Sequence, residues 1–223
     1  MSFWRKVGAI TWKDTLSEMR TRETIVSVLV FTLLVIVIFN FAFNVGQETM
    51  VLVAPGILWV TFAFAGVLSL NRSFILEKEE GCLEGLMGCP ISWEAIYVGK
   101  MLGNLFFLLI IEAAALPIFA FLFNLEVLTP QLVVITVLTT VGFVAVGTLF
   151  SALAVKTKAR DMILPILFLP IVAPIIVSAV MASAAALSGE SWSSLSSWLQ
   201  IIGAFDVIFL VVSFLIFNFV IEE

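Results

Sequence analysis

Two acidic residues, Glu112 and Asp206, lie inside otherwise apolar stretches of the chain and are the first candidates for chemistry. A carboxylate in such surroundings is costly, so it should face a bundle interior, a cavity or a partner. Two interpretations remain open for each residue. It is either a group on a substrate or proton path, or a protonated or hydrogen-bonded packing residue at a helix or subunit contact.

Other chemistry is limited by what the composition lacks. The chain contains no His, and therefore lacks the commonest metal and haem ligand and the commonest general base. Its two cysteines, Cys82 and Cys89, have no other soft ligand nearby, whereas a zinc site needs three or four ligands. We interpret them as small residues in a reducing compartment. The sequence thus predicts no catalytic residue and no metal site.

The sequence also lacks a nucleotide-binding loop. Such a loop requires G-x-x-x-x-G-K-[ST], but the only Gly-Lys pair, Gly99-Lys100, is followed by Met101 and preceded at the required distance by Glu94. If the protein uses ATP, another polypeptide must bind it. The net charge of -5 is small and dispersed, so we expect no nucleic-acid partner.

The composition is that of a membrane protein. Hydrophobic residues make up 62% of the chain and charged residues 12%, against about 45–50% and about 25% in soluble domains. We predict an all-α polytopic membrane protein with six transmembrane helices, forming a single transmembrane domain over residues 1–223. The expected spans are residues 25–45, 50–70, 101–123, 131–155, 162–187 and 201–221.

The distribution of positive charge predicts the orientation. All 11 Lys and Arg residues fall before the first span, between the second and third spans, or between the fourth and fifth. Inner loops carry the excess of Lys and Arg in membrane proteins. We therefore expect the N and C termini to be cytoplasmic.

Three further segments carry their own expectations. Residues 1–24 form an amphipathic interfacial helix with Trp12, Leu16 and Met19 on one face. Prolines interrupt the fifth stretch, so a straight helix is not expected, and residues 179–188 would turn back toward the outer face. Residues 188–200 form an outer-face segment with two tryptophans as interface anchors. The prolines are Pro165, Pro170 and Pro174, and the tryptophans are Trp192 and Trp198.

The charged stretch at residues 71–100, here called the coupling segment, predicts a partner site. A short amphipathic helix bounded by glycines could dock in a groove of a soluble, energy-supplying partner; the alternative is a solvated interfacial loop. In the last part of the segment, Ser92 is the expected N-cap of the next helix, with Trp93 and Tyr97 at the membrane interface. The predicted partner contacts are Glu77, Glu79, Gly81, Leu83, Glu84 and Leu86.

Three motifs between Pro55 and Leu86 resemble a known family. They are P-G-I-x-W from Pro55, L-S-L-x-R from Leu68 and G-x-L-E-x-L from Gly81. Together they resemble cytochrome c maturation protein B (CcmB), the membrane subunit of an ABC-type complex described as a haem exporter. The likeness extends over most of the chain, including the charged N-terminal segment and the Lys-Thr-Lys-Ala-Arg loop from Lys156.

The resemblance implies an ABC-2-type permease-like fold in the bacterial inner membrane. It implies a separate ABC ATPase subunit that binds ATP-Mg, a second copy of this chain, haem-handling membrane subunits and an outer-face haem chaperone. ATP hydrolysis would be coupled to haem export or to release of the haem-loaded chaperone. Haem is then a candidate substrate, with no cofactor bound directly, in keeping with the absence of His as an iron ligand.

Three alternatives to this function remain. The same architecture serves permeases for lipid, polysaccharide or drug export. A non-transporting membrane scaffold for haem-handling subunits would need no substrate path. An ion-coupled carrier would rest on Glu112 and Asp206, although the sequence lacks the matched broken repeats typical of such carriers.

Overall fold

The computed structural model describes residues 3–21, 23–43, 47–79, 92–156 and 164–222. Within these ranges the chain forms seven α-helices, with a single π-helical turn, Leu164–Phe168, directly before the sixth. The helices are α1 (Phe3–Thr21), α2 (Glu23–Ala42), α3 (Gln47–Glu79), α4 (Trp93–Phe123), α5 (Pro130–Lys156), α6 (Leu169–Leu187) and α7 (Trp192–Glu222).

Six of the described helices, α2 to α7, are long and apolar enough to cross a membrane. A hydrocarbon core about 30 Å thick needs roughly 20 apolar residues in a helix. The predicted all-α polytopic membrane fold is therefore confirmed.

The helices alternate in direction, as contacts at the two ends show. On one side of the bundle, the C-terminal ends of α3, α5 and α7 lie beside the N-terminal end of α4. There Ser151 of α5 donates to the Leu70 carbonyl of α3, and Asn218 of α7 donates to Glu94 of α4. We call this the inner end. At the outer end, Asn40 of α2 donates to the carbonyl of Leu122 of α4. Because α1 packs on the first turns of α4, both termini of the described chain lie at the inner end.

Helix α5 is the centre of the bundle. In an 18-residue stretch of its apolar span 72% of residues are buried, against 17% in the corresponding stretch of α2 and 22% in that of α7. Its small residues explain this position: Asp206 and Ile175 press against Gly142, and Leu70 presses against Gly147, where an added methyl group would overlap them. Small residues let helices approach closely when lipid supplies no hydrophobic driving force between them.

The structure corrects one expectation at the outer end. Residues 179–188 do not turn back, because α6 continues unbroken to Leu187, and its small side chains Ala179, Ala182 and Ala186 are buried against the bundle. Residues 192–200 lie at the outer end, where they form the first turns of α7. Trp192 remains exposed there, whereas Trp198 packs against the core.

The proline-rich stretch is irregular where the sequence predicted irregularity. The π-helical turn occupies Leu164–Phe168, and Pro170 follows in the first turn of α6. Proline is tolerated there because the first N–H groups of a helix have no partner within it. Pro174 lies inside α6, yet the helix continues past it.

Candidate functional site

The coupling segment joins two helices that extend beyond the bundle core. Helix α3 continues past Asn71, the end of its apolar span, to Glu79, and α4 begins at Trp93. Glu77 and Glu79 thus lie on the helical end of α3. The other predicted contacts, Gly81, Leu83, Glu84 and Leu86, lie outside the described residues. The structure therefore gives the attachment points of this segment.

Hydrogen bonds fasten the start of α4 to its neighbours. The Tyr97 hydroxyl donates to the Ala145 carbonyl at 3.0 Å, and Asn104 donates to Thr148 at 3.2 Å. Tyr97 is 1% exposed, so it is a buried contact between α4, α5 and α7 rather than the expected interface anchor. Ser92 takes the N-cap position, as predicted, although its side chain makes no capping hydrogen bond.

The N-terminal helix packs closely on α4 at two glycines. A methyl group on Gly99 would lie 2.8 Å from the Ile10 Cβ, so only glycine allows this approach, and Gly103 lies against Asp14. The Thr11 hydroxyl donates to the Gly99 carbonyl at 3.0 Å. The Gly99-x-x-x-Gly103 pattern therefore serves a contact within the chain.

An ion pair completes the contact between α1 and α4. Lys100 is 1% exposed, and its Nζ lies 3.5 Å from Asp14 Oδ2. Lys13 also lies 3.5 Å from Asp14, but its side chain is 44% exposed. The sequence identified Lys100 only as one of the inner positive charges, because nothing in its spacing from Asp14 indicates a partner 86 residues away. Burial of a charge requires such a partner.

Glu112 is buried in the middle of the bundle with a hydroxyl as its partner. The Thr140 Oγ1 lies 2.8 and 2.9 Å from the two carboxyl oxygens and 2.8 Å from the Thr136 carbonyl. The hydroxyl has one hydrogen for these three acceptors. If Glu112 is protonated and donates to the Thr140 oxygen, more of these acceptors receive a hydrogen bond than if Glu112 is a carboxylate.

A small cavity adjoins this contact. It measures about 10 Å³ and is lined by Glu112 and Thr140 together with Trp59, Phe143 and other apolar side chains. That volume is room for about one water molecule. Trp59, the last residue of the P-G-I-x-W motif, donates to the Ser183 hydroxyl at 2.9 Å and so links α3 to α6.

Asp206 reaches α5 from the other side. It is 5% exposed, and its side chain rests on Gly142. Its Oδ1 has no hydrogen-bond partner among the described residues. The structure thus places Glu112 of α4 and Asp206 of α7 against α5, where their contacts Thr140 and Gly142 are two residues apart, but it does not join them into one site.

The described residues contain no cluster of side chains that could bind a metal ion. Within residues 3–21, 23–43, 47–79, 92–156 and 164–222, no group of three or more His, Cys, Asp or Glu side chains is placed to hold an ion.

Comparison with known proteins shows that most of the chain is similar to one family. Residues 5–222 match the family described as CcmB protein. A Heme exporter protein B of Rhodobacter capsulatus is 34% identical over 152 residues, 67% of this chain and 69% of the relative. One of Paracoccus denitrificans is 32% identical over 138 residues, 60% and 63% of the two chains. One of Pseudomonas aeruginosa is 28% identical over 172 residues, 77% of each chain.

Proposed function

The chain belongs to the CcmB protein family, and from that premise we propose that it is the permease subunit of an ABC-type complex in cytochrome c maturation. It couples ATP hydrolysis by a separate ATPase subunit to haem export or to release of a haem-loaded chaperone. Haem is the substrate of the complex, and ATP-Mg is bound by the partner. The relatives' name, Heme exporter protein B, supports the haem assignment.

One observation carries the coupling role. The coupling segment leaves the bundle from α3 and returns through α4, and the start of α4 is fastened to α1, α5 and α7. A partner bound to this segment would therefore act directly on α3 and α4, and through α4 on α1, α5 and α7. In our proposal the ATPase contacts are Glu77, Glu79, Gly81, Leu83, Glu84 and Leu86.

We assign Glu112 and Asp206 to helix packing rather than to a substrate path. The Glu112–Thr140 hydrogen bonds and the cavity of about 10 Å³ support this role for Glu112. The close contact of Asp206 with Gly142 supports it for Asp206. In this proposal each carboxyl fixes the position of a neighbouring helix against α5.

The proposed assembly lies in the bacterial inner membrane with both termini in the cytoplasm. Its members are the ATPase subunit, a second copy of this chain, haem-handling membrane subunits and an outer-face haem chaperone. The Lys and Arg distribution supports the orientation, and the position of both described termini at the inner end agrees with it.

Co-purification with a charge-reversal pair tests the proposal. The complex is purified from its own membranes in mild detergent, its subunits are identified, and its ATPase activity is measured. We expect an ATPase and haem-handling subunits with wild type, and loss of the ATPase with Glu84→Arg. Glu126→Arg, the same charge change at an exposed residue of the outer end, should retain it.

The outcomes separate the alternatives. An ATPase without haem-handling subunits would keep the permease class and reject haem as the substrate. Absence of any ATPase would reject the permease and favour a scaffold. Equal ATPase retention in Glu84→Arg and wild type would reject the coupling contact.

A further inference from the structure

An apolar groove runs between α1 and α4 on the surface of the bundle. Its volume is about 600 Å³. The α4 wall consists of Leu102, Leu105, Phe106 and Leu109, which recur at helical spacing over about 10 Å of that helix. The groove thus extends from the contact between α1 and α4 into the depth of the apolar span.

The α1 wall carries the features of a membrane–water interface. Trp4 and Trp12 are 73% and 71% exposed and line the groove. Tryptophan is enriched at the level of lipid headgroups. Gly8 lies between them in the sequence and leaves open space, because a methyl group added there would meet nothing within 4 Å.

Helical spacing places a cation, Arg5, next to the groove-lining residues of α1. Arg5 precedes Gly8 and Trp12 by three and seven residues, so it shares their face of α1, and it is exposed. An apolar slot with tryptophans and an arginine at its mouth complements a phospholipid, whose acyl chain needs the slot and whose phosphate needs the cation. A protein helix in the same slot would instead have to supply an acidic group opposite Arg5.

We propose that this groove binds the acyl chain of an anionic phospholipid, with the phosphate held at Arg5. The site is separate from the coupling segment and from the buried carboxylates. It goes beyond the proposed function, and its test does not depend on the ATPase or on haem.

Native mass spectrometry of the purified protein with its natural partners tests the site. The sample is delipidated, and phosphatidylglycerol or phosphatidylcholine with the same acyl chains is added back. We expect wild type to retain a bound phospholipid and to prefer phosphatidylglycerol by about fivefold, the effect of one cation near a lipid phosphate.

Two matched pairs of variants locate the lipid. Gly8→Phe fills the groove and should lower lipid retention by about tenfold or more, because several methylenes lose their burial. Gly203→Phe, at another helical glycine with open space, should not. Arg5→Gln should abolish the preference for phosphatidylglycerol. Lys13→Gln, on the opposite face of α1, should preserve it.

The proposal is wrong if Gly8→Phe and Gly203→Phe retain lipid equally, or if wild type retains none. A photoreactive residue at position 106 gives an independent answer. Cross-linking to phospholipid supports the site, whereas cross-linking to a second copy or to a partner subunit overturns it.

Discussion

Carboxylates have different partners in two regions of the molecule: the contact between α1 and α4, and the middle of the bundle. At the inner end, Asp14 lies against two lysines, one buried and one exposed. In the middle, Glu112 meets a threonine hydroxyl and Asp206 meets a glycine. Near water a cation balances the charge, whereas deep in the bundle a hydrogen bond or close packing holds the group. The two regions should therefore respond differently to mutation.

The largest effect is expected at Gly142, where α5 receives Asp206 and Ile175. Gly142→Val would force both side chains away and should lower the free energy of unfolding by about 3 kcal/mol or more. Thermal unfolding in detergent measures the loss. Gly203→Val is the matched control, because a methyl group there has open space. Equal melting temperatures for the two variants would contradict the packing role.

Removal of the buried lysine should come next. Lys100→Met leaves Asp14 without its buried partner and should cost about 2–3 kcal/mol, less than a fully buried pair because Asp14 is partly exposed. Lys13→Met removes a cation at the same 3.5 Å distance from Asp14 but from an exposed position, and should cost less than about 1 kcal/mol. Similar losses in the two variants would show that burial does not distinguish them.

A smaller effect is expected where α1 crosses α4. Gly99→Ala places a methyl group 2.8 Å from the Ile10 Cβ and should loosen α1 at a cost of about 1–2 kcal/mol. Hydrogen exchange of the α1 amides reports this directly. Ile10→Ala in the same chain should restore part of the protection, because it removes atoms next to the new methyl group. Faster exchange in the double variant than in Gly99→Ala would reject the close contact.

The smallest effect is expected at Glu112. In Glu112→Gln the amide donates to Thr140 in place of the carboxylic acid, so the free energy of unfolding should change by less than about 1 kcal/mol. The ATPase activity of the purified complex should persist. Glu112→Leu leaves Thr140 without this partner and should be less stable than Glu112→Gln. A folded Glu112→Gln protein without activity would instead assign a proton or substrate role to the carboxyl group.

Much of the fold follows from the sequence because lipid imposes a simple rule. A span needs about 20 apolar residues, so the six helices were predictable from composition and length. The ends of the helices were harder to predict. Helix α7 begins at Trp192, nine residues before the predicted span at Ile201. The span was predicted to start later because the serines and tryptophans before Ile201 are typical of a surface segment. Hydropathy measures how strongly a residue type prefers an apolar environment to water, and it carries little information on where a helix starts.

The partners of the site residues were not predictable. Glu112 and Asp206 were identified as buried polar groups, but Thr140 and Gly142 lie on another helix and share no local pattern with them. Lys100 was missed as a buried residue because the sequence shows its charge and not its neighbour Asp14. Pairing between helices depends on tertiary packing, which one sequence does not reveal.

The length of α3 has a mechanical consequence. Its 33 residues span about 50 Å, well beyond a hydrocarbon core of about 30 Å. A rigid helix of this length would act as a lever, with its outer end as the pivot and the attachment of the coupling segment at its inner end. A tilt of about 5° over that length displaces the far end by about 4 Å. A small rotation driven by a partner at the inner end would thus be delivered, reduced in amplitude, to Trp59 and Ser183.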